Sequence, residues 1–375
     1  MVPFENPHGP SNPWKVFYPC VSLRYLLPGE KALYHAIIAH SAFNLANLGP
    51  DNASSMRLRS ATKHYNISIQ YVNESIGGQS KKWKHHLQGA WALLLDPHSF
   101  DSWDESPFTR FSIQSLLIVR IISGTALGGG ESHSHDLSLQ HTSSEPNFDS
   151  SHGRNSRDLS LISSILSTSE FGFTIGAHKS LLECISSITE ASHKMQLGIT
   201  SEDSFKVDIT IARVLSCLED IRTQLEGNNL AGTEGQNSES LARNLARYQL
   251  SAFLYATYIY LYRSLLHVPP RRVAKYVELV FSNTQAFYSE DRGNFSLWPA
   301  FIAAVEAYTE SDIGSAKEWL EQSSHFGLGN RRKIKHIVEY VWRKRDRMHL
   351  ERNMDKGLVA IDWREIGLDT DILLV

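Results

Sequence analysis

Cysteine is scarce in this chain: three among 375 residues, at Cys20, Cys184 and Cys217, with no CxxC pair. So odd and dispersed a set argues against a disulfide framework or a cysteine-built zinc site, and it fits a reducing interior compartment. An excess of one charge is missing too. Lys plus Arg number 37 against 40 Asp plus Glu, and the formal net charge of -3 supplies no global field toward a phosphate backbone. The uncharged run Tyr248 to Tyr262 ends at Arg263. It falls short of the roughly twenty apolar residues a membrane span needs and reads as a buried helix. The first residues, MVPFENPHGPSNPW, have neither a basic n-region nor an apolar h-region. No secretory signal is expected, and the NxS sequons at Asn52, Asn66, Asn73 and Asn294 are then accidental.

Chemical motifs are equally sparse. No Walker A run, GxGxxG, HExxH or EF-hand loop is present. The nearest approach to a nucleophile elbow, Gly172 to Gly176, has Thr174 at its centre and no strand before it. His85-His86 opens an HHxxxD-like acyltransferase pattern, but Ala90 stands where the aspartate belongs, so the pair reads as two histidines on a helix surface. Asp101, Asp104 and Glu105 lack the paired aspartates that would gather magnesium around a diphosphate. His133, His135, His141 and His152 sit in a polar tract with no rigid frame to make them a selective metal site. No catalytic residue, cofactor site or metal site is assigned, and enzymatic turnover is not expected.

What the chain does have is helical pattern and enough apolar content, 42%, to bury a core. Period-two alternation never persists, so the fold class is all-α. Residues 1–30, rich in proline, read as an extended arm, and residues 31–375 as a single helical domain. Apolar stripes predict a helix from about Gly29 to the LGP at Leu48 to Pro50, with Leu33, Ile37, Ile38 and Phe43 as its stripe, and further helices at Ser54 to Ser75, Trp83 to Leu95 and Pro107 to Thr125. Gly128 to Arg157, almost without large apolar residues, reads as a disordered insertion. Helices resume around Asp158 and follow at Ile175 to Thr189, Thr210 to Leu225, Ser238 to Leu266, Arg271 to Phe281, Trp298 to Tyr308 and Ser315 to Ser323. The Tyr-rich stretch Phe253 to Tyr262 is expected to serve mainly as core, with an effector pocket as its second use.

The most strongly marked element is Phe326 to Asp346, FGLGNRRKIKHIVEYVWRKRD. Ile334, Ile337, Val338, Val341 and Trp342 fall at spacings of three and four, which puts them on one buried face and directs the cations elsewhere. Asn330 is the expected N-cap. Arg331, Arg332, Lys333 and Lys335, followed by Arg343, Lys344, Arg345 and Arg347, form a candidate two-part nuclear-import signal, set against the plainer reading of a charged helix surface.

Taken in order, NPWKVFYPCVSLRYLL, HHLQGAWALL, WPAFIAAVEAY, GLGNRRKIKHIVEYVWRKRD and DWREIGLDTDILLV resemble the fungal-specific transcription factor domain. More narrowly they resemble the branch in regulators of arginine metabolism and acriflavine sensitivity control. The likeness runs from about Asn12 to Val375. It implies a helical, non-enzymatic regulatory domain in the nucleus, following a six-cysteine binuclear zinc cluster and working through other transcription regulators, coactivators, a small-molecule effector or a second copy. The three separated cysteines cannot supply that cluster. Zinc and direct DNA binding are therefore expected to lie outside this chain, upstream of Met1 or lost. The alternatives are a truncated regulator that pairs with full-length relatives and, more distantly, a helical enzyme of secondary metabolism.

Overall fold

The computed structural model describes residues 56–67, 107–126, 175–196, 201–229, 238–290, 295–324 and 329–365, with His35, Ile38, Ala42, Ile165 and Leu374. These residues are helical or connect helices, and no strand occurs among them. In chain order the helices are α1 (56–67), α2 (Pro107–Gly124), α3 (Lys179–Gln196), α4 (Ser201–Asn229), α5 (Ser238–Ser264), α6 (Ala274–Glu290), α7 (Leu297–Glu306), α8 (Glu310–Ser324) and α9 (Gly329–Arg352). Short 3-10 turns cover Pro270–Arg272, Lys356–Leu358 and Trp363–Glu365.

The uncharged run that stops short of a membrane span is the heart of α5. Phe253, Leu254, Ala256, Thr257, Tyr258 and Ile259 are all buried, and α5 packs against α3, α4, α6 and α7. A helix apolar all round is stable only inside a protein, which is where α5 puts this stretch. Among the described residues no helix is long and apolar enough to cross a membrane.

Helix α7 is more enclosed still, since each of its ten residues is buried. Pro299 stands in the first turn, where its missing N–H costs no intrahelical bond. Trp298 stacks on Phe253 with ring centroids 5.7 Å apart and meets Tyr260 edge-on at 5.8 Å. Its buried indole N–H donates to Thr125 Oγ1 at 2.9 Å. One side chain thus ties the end of α2 to α5 and α7, and its polar atom is satisfied, as a buried tryptophan requires.

Elsewhere the local rules are visible. Thr309 caps α8: its Oγ1 accepts from Asp312 N at 3.1 Å and its hydroxyl donates to Asp312 Oδ2 at 2.7 Å. Helix α9 ends on Asn353, whose φ of 46 is left-handed, while Met354 N donates back to His349 O at 3.3 Å. That is the closing geometry in which asparagine serves when glycine is absent. The Gly176 turn, φ 75, brings its backbone so near Gln249 that a Cβ there would lie 2.5 Å from Gln249 Oε1.

Several expected elements lie outside the described residues: the arm at 1–30, the helix at 83–95 with His85 and His86, the Asp101, Asp104 and Glu105 segment, Thr174, and the 128–157 insertion with its four histidines. Where helices are described, α3, α4, α6, α8 and α9 each extend past the end set by apolar spacing. Periodicity detects the buried stripe, whereas polar first and last turns carry no such mark.

Candidate functional site

The core of the site is a set of charges that no local pattern connects. Glu306, the last residue of α7, is 4% exposed. Arg263, near the end of α5, brings Nε to 2.8 Å from Glu306 Oε1, an ionic contact rather than an aligned hydrogen bond. Its other nitrogens donate to Val268 O at 2.5 Å and Ile361 O at 3.3 Å. From α9, Arg345 approaches Glu306 Oε2 at 3.8 Å. Arg345 is 1% exposed and donates to Ala307 O at 2.7 Å, Val305 O at 2.9 Å and Val359 O at 3.2 Å. Burial pulls its guanidinium below the ordinary arginine value, while Glu306 works in the opposite direction. A buried cation is tolerable only with such a full set of acceptors.

The carbonyls of Val305 and Ala307, at the end of α7, explain why Arg345 is where it is. The C-terminal end of a helix carries unsatisfied C=O groups and a partial negative charge, and the last residues of α7 are buried. Trp342, one turn before Arg345, donates its indole N–H to Ala304 O at 2.9 Å. Two side chains of α9 thus close the carbonyl end of α7.

Beside this charge set lies a cleft of about 410 Å³, between α3, α5, α7 and the segment 360–365. Its size is within the range of small-molecule sites. Ile259, Ile302 and Trp363 supply apolar wall; Ser192, Ser264 and Arg364 supply polar groups. Ile259 and Tyr260 come from the Tyr-rich stretch, so that stretch both fills the core and lines a cleft. Trp363 meets Phe301 of α7 edge-on at 4.8 Å, seating the 360–365 segment. Arg364 reaches back to Asp362 with Nη2 to Oδ2 at 2.6 Å and Nε to Oδ1 at 2.9 Å. Burial pushes the Asp362 carboxyl up, but the hydrogen bonds and charge of Arg364 outweigh it and hold the carboxyl below its usual range. Tyr260 is pushed up by burial, and its hydroxyl lies 2.9 Å from Thr189 Oγ1.

The eight basic residues of the candidate import signal divide in the structure. Arg332, Lys333, Lys335, Arg343 and Arg347 are exposed and Lys344 is half-buried. Arg331 and Arg345 are buried, at 5% and 1% exposure. Burial pushes Arg331 down to about 10, with Tyr288 acting against the shift. The expectation that every cation of this helix faces away from the core is corrected at these two positions. Arg331, Ile334, Val338, Val341 and Arg345 recur at spacings of three and four, so both arginines belong to the apolar stripe. Asn330 lies within α9, which starts at Gly329, and so is not the residue before the helix.

Sequence reasoning did not single out Arg263, Glu306, Asp362 or Arg364. One signal was available: Glu306 is the only charge in FIAAVEAY, and a lone carboxylate in an apolar helix calls for a cation.

A second polar feature joins α4 to α5 and α6. Tyr258 stacks on Tyr276 at 4.8 Å and 3° and donates its hydroxyl to Glu219 Oε1 at 2.5 Å. That bond, together with those from Arg222, holds the Glu219 carboxyl below its usual range. No group of three or more His, Cys, Asp and Glu side chains able to hold a metal occurs among the described residues.

Neither the curated proteins nor the solved structures compared with this chain match it. A family model does, the one described as fungal specific transcription factor domain, over residues 73–375. That span takes in every described helix from α2 to α9, the charge set at the end of α7 and the cleft beside it. The helical architecture and the order of its segments have one common source: the chain belongs to the fungal specific transcription factor domain family.

Proposed function

We propose that this chain is the regulatory domain of a nuclear transcription regulator of the zinc-cluster type, working by binding rather than by turnover. The observation that carries the reading is the family match across 73–375. The cleft supports it as the place where a small effector would act. A molecule seated there would touch α3, α5, α7 and the 360–365 segment together, so its binding energy would be felt by four parts of the fold. The other partners are transcription regulators or coactivators, or a second copy of the chain. Direct contact with DNA is assigned to a module outside it. Within the family we place the chain near the regulators of arginine metabolism and acriflavine sensitivity control, on the order of the segments quoted above.

The test is transcriptional. Fusing the chain to an unrelated DNA-binding module should change the output of a reporter carrying that module's site. A folded, stably expressed fusion with unchanged output would refute the regulatory reading. Co-purification with a zinc-cluster protein would instead identify the chain as a pairing partner of full-length relatives.

A further inference from the structure

The charges gathered around the cleft do not balance. Arg263, Arg345 and Arg364 set three guanidiniums against two carboxylates, Glu306 and Asp362. Arg345 and Glu306 are buried and the other three partly so, which leaves the set poorly screened by solvent. Two more acids stand outside it. Asp346 is exposed and pairs with Lys356 Nζ at 2.6 Å, and Glu365 is exposed on the rim. Among the described residues the set therefore carries one positive charge in excess, and a cation withdrawn from water calls for an anion.

The hydrogen bonds show where that anion would sit. Arg345 directs Nε, Nη1 and Nη2 to the carbonyls of Val359, Ala307 and Val305. Arg263 directs Nη1 and Nη2 to Val268 O and Ile361 O, with Nε against Glu306. Arg364 differs: its bonds to Asp362 use Nε and Nη2, which leaves Nη1 for a second acceptor. Arg364 lines the cleft together with the apolar Ile259, Ile302 and Trp363 and the buried serines Ser192 and Ser264.

We propose that the cleft takes a compact organic acid, its carboxylate on Arg364 and its hydrocarbon body against Ile259, Ile302 and Trp363. This names the ligand class of the effector site and rests on that reading for its link to transcription. A carboxylate meets the charge and the geometry together: one oxygen accepts a charge-assisted bond from Nη1, and the other is free to accept from a serine hydroxyl. An amino acid would bring its own ammonium and leave the excess charge as it was. An inorganic anion would match the charge but leave the apolar wall in water. The volume of about 410 Å³ sets the size, toward the small end for ligand sites.

The experiment is calorimetric titration of the full chain with benzoate, benzamide and benzylamine, which share a ring and differ in charge, with inorganic phosphate as competitor. Benzoate should bind one site per chain, at least about tenfold more tightly than benzamide, and resist displacement by equimolar phosphate. Arg364→Gln should weaken benzoate by about tenfold or more. Asp362→Asn, which frees Arg364 of its internal carboxylate, should tighten it. Circular dichroism establishes that each variant is folded, and if Arg364→Gln is not, the opposite shift in Asp362→Asn decides. The proposal fails if benzamide or benzylamine binds as tightly as benzoate, if phosphate displaces benzoate, if no probe binds, or if folded Asp362→Asn binds benzoate no more tightly than wild type. A silent reporter fusion beside tight benzoate binding would reject the regulatory reading and keep the carboxylate site. An active reporter with benzamide bound in place of benzoate would do the reverse.

Discussion

Trp342 and Arg345, one turn apart on α9, together close the carbonyl end of α7: the indole takes Ala304 O and the guanidinium takes Val305 O and Ala307 O. Capping of a helix C-terminus by a neighbouring helix lets α7 be buried along its whole length, because its final carbonyls find their donor partners on α9.

Replacing Arg345 should therefore unfold the domain rather than alter its surface. Arg345→Met leaves Glu306 with one cation and strands three carbonyls. A loss of about 3–5 kcal/mol is expected on breaking such a buried pair. Urea unfolding of Arg345→Met beside Arg343→Gln checks this. Arg343 is exposed, and its variant should keep the wild-type midpoint within about 0.5 kcal/mol.

The nuclear-import role proposed for α9 must be tested without the buried residues. A variant with Arg343, Lys344 and Arg347 all changed to Gln spares Arg345 and should fold normally. Reduced nuclear accumulation of a fluorescent fusion is the expected result. Unchanged localisation would reject an import role for that half of the helix.

Acid should weaken the seat of the 360–365 segment in a defined window. Asp362 is depressed in the folded chain, so its contribution is fully present above its unfolded value of about 3.9 and is lost as pH falls below that toward the folded value. Asp362→Asn should be less stable than wild type at neutral pH and lose less on acidification through this range. Parallel stability curves from pH 5 to 2, a range of about three units, would show that the pair with Arg364 contributes nothing.

The cleft can be covered from its rim. Ala360 lines it and is exposed, so Ala360→Trp places an indole at the mouth with little effect on packing. In the reporter fusion, this variant should keep its thermal midpoint and lose most of its response to effector. A full response would move effector binding to another surface.

How much of this was legible in the sequence depends on distance along the chain. The stripe of α9 and the apolar run of α5 follow from local spacing, and both helices are where that spacing puts them. Arg331 and Arg345 lie on the continuation of the same stripe. They were assigned to the charged face because a cation on an apolar stripe is unfavourable until its acceptors are known. Those acceptors, on α7 and at Val359, come from segments that no periodicity connects to α9. The DWR segment is a pattern in the sequence, and the Trp363 contact with Phe301 gives it a structural role.

The enclosure of α7 bears on how this domain can be divided. Its neighbours are α5 and α6 before it in the chain and α8 and α9 after it, so each side of any cut near residue 300 removes half of its cover. Neither fragment could offer water a polar face of α7. Shuffling or splitting of the chain would succeed only if the breaks fell outside the whole span from α5 to Trp363.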